Sequence, residues 1–187
     1  DDDNRFDENL LNDVLSNLNK YGINVLTTSY LQTNEIKRAN VAYQISFFGS
    51  GNSFIHSSLL NKVRFNNKFE FGYGEDSDFG MQLRNQGTDV VFIPDLEILH
   101  LKAPIGGFRT KPVLAWNTDK IQPKPSPTIM LYKLLHLNEK QICGYKTILF
   151  FKFYKVQSIK NPIKYFISFK KQWERSLYWA NQLKNQE

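Results

Sequence analysis

Glu75 and Asp76 are adjacent carboxylates at the head of a stretch with helical spacing, in which Phe79 and Leu83 stand four apart beside Met81. Gly72-Tyr73-Gly74 leads into them, and Ser77-Asp78 follows. Two acids at a helix start can share one task. One carboxylate takes a proton from an attacking hydroxyl while the other hydrogen-bonds the same group and orients it. A plainer account is also open, because negative charge in a first helical turn offsets the helix dipole. Residue type alone leaves both standing.

Three further features carry chemistry. Asp1-Asp2-Asp3 presents carboxylates in an acid-any-acid pattern. A hard cation such as Mg²⁺ or Mn²⁺ takes such oxygens and keeps positions for substrate phosphates. The alternative is a solvated acidic tail. Gly49-Ser50-Gly51-Asn52 follows an apolar run, and spaced glycines there let backbone approach a ligand closely. An ordinary strand-end turn explains it as well. His100 closes a hydrophobic stretch; it is a satisfied core residue unless the acids converge on it, in which case it becomes a metal ligand.

In their order along the chain, these features resemble the second half of the catalytic domain in family-2 glycosyltransferases of the GT-A fold. That family places an acid-x-acid motif before a Gly-rich strand end. A Gly-Glu-Asp-x-Asp stretch then opens a helix, and a Pro-Asp strand runs to a histidine. Here these stand as Asp1-Asp2-Asp3, Gly51-Asn52, Gly74-Glu75-Asp76-Ser77-Asp78, and Pro94-Asp95 leading to His100. The resemblance implies metal-dependent, inverting transfer from a nucleotide-diphosphate sugar to a saccharide or lipid-linked acceptor, in polysaccharide or glycoconjugate synthesis. It implies Asp76 as general base with Glu75 as its partner, and Asp1, Asp3 and His100 around Mg²⁺ or Mn²⁺. Asp2, Gly51, Asn52, Gly74 and Asp78 would line the substrates. Arg109 and Lys111 would reach the diphosphate from a lid, on charge and position alone. Two other functions compete. A metal-dependent nucleotidyltransferase could share the acid-x-acid site but needs no acceptor-side Glu-Asp helix. A non-catalytic acceptor-binding fragment would keep recognition only.

The elements that must position these residues follow from periodicity. Leu10, Leu11, Val14, Leu15, Leu18 and Tyr21 predict an amphipathic helix over 6–21, stopped by Gly22. Strands are expected over 23–29, 41–48, 90–93 and 96–101, with Pro94 separating the last two. A short serine-capped helix is expected over 57–63 and a longer one over 75–86. Residues 103–125, with four prolines and Gly106-Gly107, form a long irregular connection of the kind that is usually functional. From Thr128 the chain reads as helices punctuated by Gly144 and Pro162. The fold class is therefore α/β, a partial GT-A mixed sheet with flanking helices over 1–125, then an α-helical segment over 126–187. The acidic opening without Met predicts native chain upstream. Several nucleotide-binding strands of the family would lie there, so the 187 residues alone are expected to be inactive.

Charge supports the same division. Residues 1–125 carry 13 Lys+Arg against 15 Asp+Glu, whereas 126–187 carry 11 against 3. The basic part interleaves Phe150, Phe151, Phe166 and Trp173 with lysines. Such a mixture suits aromatic packing on the catalytic domain, a peripheral membrane contact, or single-stranded nucleic acid, the last being the least favoured. Cys143, the single cysteine, excludes an internal disulfide framework and reads as a small buried residue. No apolar run approaches the ~20 residues needed to span a bilayer. The expectation is a cytoplasmic protein, at most peripheral on the inner face of the membrane.

Overall fold

The computed structural model describes residues 3–37, 39–70, 72–101 and 113–186. Five strands form one mixed sheet: β1 (Asn4–Phe6), β2 (Val25–Gln32), β3 (Tyr43–Ile45), β4 (Ser53–Ile55) and β5 (Val90–His100). β2 and β5 run parallel at its centre, β4 pairs antiparallel with β2, and β1 and β3 pair antiparallel with opposite ends of β5. Five helices accompany the sheet: α1 (Leu10–Tyr21), α2 (Glu75–Asn85), α3 (Pro127–His136), α4 (Glu139–Val156) and α5 (Pro162–Lys184). The protein is thus mixed α/β. By contacts it divides into two compact units, 1–66 with 75–110, and 67–74 with 111–187. The charge boundary at 125/126 falls inside the second.

In the first unit, β2 is buried over its first five residues, consistent with the β-branched Val25, Thr27 and Thr28. Successive strand residues face opposite sides. Val25 packs with Phe79 and Leu83 of α2, while Leu26 packs with Leu10 and Val14 of α1. The two helices therefore cover opposite faces of the sheet. Helix α1 starts later than residue 6 because Asn4–Phe6 is taken into β1 by pairing with Ile98–His100. Its Leu11 and Leu15 are exposed, so the apolar stripe is wider than the buried one. Gly22, at φ 60°, closes α1 as expected.

Pro94 does not separate two strands. Val90–His100 is continuous, and the pairing with β2 jumps from Thr28↔Ile93 to Ser29↔Glu97. Proline has no N–H to donate to a ladder, and Pro94-Asp95-Leu96 is accommodated as a bulge. The Ser29 hydroxyl donates to the Pro94 carbonyl at 2.9 Å. Two other elements are shorter than expected. Strand β3 occupies only Tyr43–Ile45, and Ser57–Leu59 is a single 3-10 turn capped by the His56 ring rather than by a serine. Strand β4 was not foreseen.

The second unit is helical. Phe69, Met130, Leu131, Tyr165, Phe169, Trp173 and Ala180 form its buried core. Gly144 lies inside α4 rather than ending a helix. The real break follows Val156, and Pro162 sits in the first turn of α5 under an Asn161 cap. Cys143 is exposed rather than buried. Asp119 is clasped by α5: the Arg175 guanidinium donates to both of its oxygens at 2.7–2.9 Å, and the Trp179 indole N–H donates at 2.6 Å.

Candidate functional site

Asp76 is positioned from two directions. Helix α2 approaches the 46–48 backbone closely because residue 80 is glycine; a Cβ there would stand 2.8 Å from the Ser46 carbonyl and 2.9 Å from Phe47 Cα. Phe79 stacks on Phe65, with centroids 4.4 Å apart, and packs on Phe48 at 4.7 Å. So docked, the Asp76 carbonyl accepts the Phe48 N–H at 3.0 Å. Its Oδ1 accepts the Ser50 N–H at 3.1 Å. Burial pushes the Asp76 pKa above the ordinary carboxylate range, and the Ser50 backbone and side-chain hydrogen bonds oppose that only in part.

Asp76 faces an open cleft of about 460 Å³, lined also by Thr27, Thr28, Tyr30, Phe47, Gly49, Ser50, Gly51, Asn52 and Phe92. The Gly49–Asn52 turn is tied to β2, since the Thr28 N–H donates to the Asn52 carbonyl at 2.9 Å and the Asn52 amide donates to the Thr28 carbonyl at 2.5 Å. Gly49 leaves room for the Asn52 side chain. A Cβ on it would fall 2.2 Å from the Asn52 side-chain oxygen. Gly51 and Asn52 thus both line the cleft, and the Asn52 amide is spent on holding the turn.

The remaining acids of the α2 start differ in setting. Glu75 is half-buried, and among the described residues nothing donates a hydrogen bond to its buried Oε2. Asp78 is buried, and its Oδ2 accepts the Gln82 amide at 2.7 Å. Gln82 also bonds both the N–H and the carbonyl of Arg64, so Asp78 supports the loop before α2 and does not line the cleft. Gly74 belongs to the second unit, at φ 116°, where a Cβ would stand 3.2 Å from the Phe69 ring.

Asp3 and His100 meet. β1 pairs Asn4 with His100, which brings the buried Asp3 carboxylate to 3.2 Å from His100 Nε2. The imidazole stacks on Tyr30, with centroids 4.8 Å apart at 14°. The Tyr30 hydroxyl donates to Asn4 at 2.9 Å. Tyr30 therefore touches His100 and also lines the Asp76 cleft. A carboxylate oxygen beside an imidazole nitrogen is a donor pair suited to a divalent cation, and the nitrogen favours Mn²⁺ over Mg²⁺. Among the described residues, no group of three or more His, Cys, Asp or Glu side chains converges. Asp1, Asp2, Arg109 and Lys111 lie outside the described residues.

Sequence reasoning missed Tyr30, Phe47, Phe92 and Ser50 as site residues. Only Ser50 had a local signal, standing between two glycines at a strand end. Tyr30 and Phe92 reach the cleft through the pairing of β2 with β5, and Phe47 reaches it from the segment between β3 and the Gly49–Asn52 turn. No family model, no curated protein and no solved structure matches the chain.

Proposed function

We propose that this chain carries the acceptor side of a metal-dependent, inverting glycosyltransferase of GT-A type. The observation that carries the reading is Asp76. It is a half-buried carboxylate of raised pKa, aimed at a cleft and held by a backbone N–H at a glycine-rich strand end. A carboxylate of raised pKa is a stronger base toward an acceptor hydroxyl. Removing that proton as the hydroxyl oxygen attacks the anomeric carbon leaves the nucleotide diphosphate to depart with the bonding electrons. Glu75 adjoins Asp76 in the first turn of α2 but does not line the cleft, and its Oε2 is buried with no donor among the described residues, so its place in this reading is beside the base rather than against the substrate. Tyr30, Phe47 and Phe92 supply aromatic surface against which the apolar face of a sugar ring can rest.

Asp3 and His100 would hold the Mn²⁺, with Asp1 and Asp2 adjoining in sequence. When bound, that ion supplies positive charge to offset the departing diphosphate. The residues of the chain itself orient the acceptor, accept its proton and bind the sugar ring.

The test is sugar transfer from a panel of nucleotide-diphosphate sugars with Mn²⁺, comparing wild type with Asp76→Asn in the chain and in forms extended at its N-terminus. Loss of a general base lowers kcat by about 10²–10⁴-fold. Acceptor binding should persist. Near-normal turnover by Asp76→Asn would refute the assignment.

A further inference from the structure

The basic aromatic segment singled out by its composition separates, in three dimensions, into an inner and an outer set. Tyr165, Phe169 and Trp173 are buried in the core of the second unit. Ile148 and Phe151 of α4, with Ile163 and Phe166 of α5, are 57–70 % exposed. On α4, Ile148, Phe151 and Lys155 recur at spacings of three and four, which places them on one outward stripe. The two helices meet through aromatic rings. The Phe150 ring lies 5.3 Å from Phe151 and 6.3 Å from Phe166, and Phe150 and Phe166 line a shared apolar groove with Thr147.

The turn between the helices is held by hydrogen bonds, so its exposed side chains sit on a fixed scaffold. The Tyr154 hydroxyl donates to the Lys160 carbonyl at 2.6 Å, the Gln157 side chain pairs with both main-chain groups of Ile159, and Asn161 caps α5. Val156, beside this turn, is 81 % exposed. Charge here has one sign. Between Glu139 and Glu174 the chain has eight lysines and no Asp or Glu. Among the described residues, no helix is long and apolar enough to cross a membrane.

We propose that the α4–α5 hairpin is a docking surface for an anionic lipid bilayer, lying in the interface without spanning it. Exposed aliphatic and aromatic side chains of the two helices enter the headgroup boundary while neighbouring lysines meet lipid phosphates. Charge complementarity selects an anionic partner. The aliphatic share selects lipid over single-stranded nucleic acid, because Ile148, Val156 and Ile163 offer no π-face for a base to stack on. This surface lies in the second unit and rests on no part of the glycosyltransferase reading.

The experiment is co-sedimentation of the intact chain with vesicles of phosphatidylcholine alone and of equimolar phosphatidylcholine and phosphatidylglycerol. Binding is expected to the mixed vesicles and to weaken with salt. Lys152→Gln with Lys155→Gln should weaken partitioning about thirtyfold, on the basis of about 1 kcal/mol for each lysine near an anionic surface. Phe151→Ser with Ile163→Ser should weaken it further, including at high salt, where charge is screened. All four residues are exposed, and an unchanged circular dichroism spectrum verifies that the variants are folded. Absence of binding to the anionic vesicles overturns the proposal. So does equal binding by both double variants, or binding of oligouridylate with none to vesicles.

Discussion

Asp76 Oδ1 and the Ser50 N–H lie 3.1 Å apart, 26 residues separated in sequence, joining the start of α2 to the glycine-rich turn after β3. Burial is the larger influence on this carboxyl and raises its pKa; the hydrogen bonds from Ser50 lower it less. If Asp76 is the base, kcat/KM should fall on the acid side through a pKa above the ordinary aspartate value of ~3.9. A pH–rate profile measures this. An acid limb at or below the ordinary value would contradict the assignment.

The same shift predicts the sign of a stability change. A carboxyl whose folded pKa is raised binds its proton more tightly in the native state than in the unfolded chain. Its ionisation therefore costs stability as pH rises from the unfolded value through the raised one, and the whole cost is present above that. Asp76→Asn removes the ionisation. Denaturant melts at neutral pH should show the variant equal to wild type or more stable, even as the proposed transfer activity is lost. A marked loss of stability would mean that the Asp76 charge holds the fold.

Gly80→Ala puts a methyl group within 3 Å of the Ser46 carbonyl and of Phe47 Cα. Both obstacles are backbone, so α2 must move. Overpacking of this kind costs about 1–3 kcal/mol, readable in urea unfolding. Because α2 carries Asp76, the proposed transfer activity should suffer more than stability alone explains. A neutral Gly80→Ala would show that the helix has room to shift.

The Asp119 clasp makes a separate prediction for the second unit. The Trp179 indole N–H, and then the Arg175 guanidinium, hold the Asp119 pKa below the ordinary carboxylate range. Stability from a lowered pKa is fully present above the unfolded value of ~3.9 and fades as pH falls through the lowered one. Arg175→Lys cannot reproduce the two-pronged contact. It should lower Tm at neutral pH, and the gap to wild type should close in strong acid.

Metal affinity tests the Asp3–His100 contact. Calorimetric titration with Mn²⁺ should give binding that weakens about tenfold or more in His100→Ala, as loss of a partner at a metal site commonly does. Asp3→Ala should weaken it similarly. If both variants bind Mn²⁺ like wild type, the contact is an ordinary hydrogen bond.

Helices with strong punctuation were legible in the sequence, and strands made by pairing were not. Gly22 and Gly87 both adopt positive φ and mark real helix ends, because local steric rules decide a chain reversal. Asn4–Phe6 and Ser53–Ile55 have no local signature, and each exists because a longer strand offers it a free edge. At the site, Asp76, Gly51 and Asn52 were visible as residue types that chemistry needs, whereas Glu75 was equally visible and does not line the cleft. Tyr30 and Phe92 were not, since an aromatic in a strand is ordinarily core, and Phe47 was not, since its place beside the cleft depends on the path of the chain beyond β3. Asp78 resembled its neighbours in sequence, yet burial and Gln82 turn it to support. Gly80 carried no signal either, because its importance lies in how near another backbone comes.

The bulge at Pro94-Asp95-Leu96 changes the parity of β5. Before it, odd-numbered Val91 and Ile93 join the apolar cluster beneath α1; from its last residue onward, even-numbered Leu96 and Ile98 do. An insert of three residues is an odd step, and it lets one strand keep a single face toward that helix while switching its edge partner from β3 to β1. Length here is counted modulo two. Removing one residue from the bulge would trim the chain slightly, yet it would send Leu96 and Ile98 to the opposite face and carry His100 away from Tyr30.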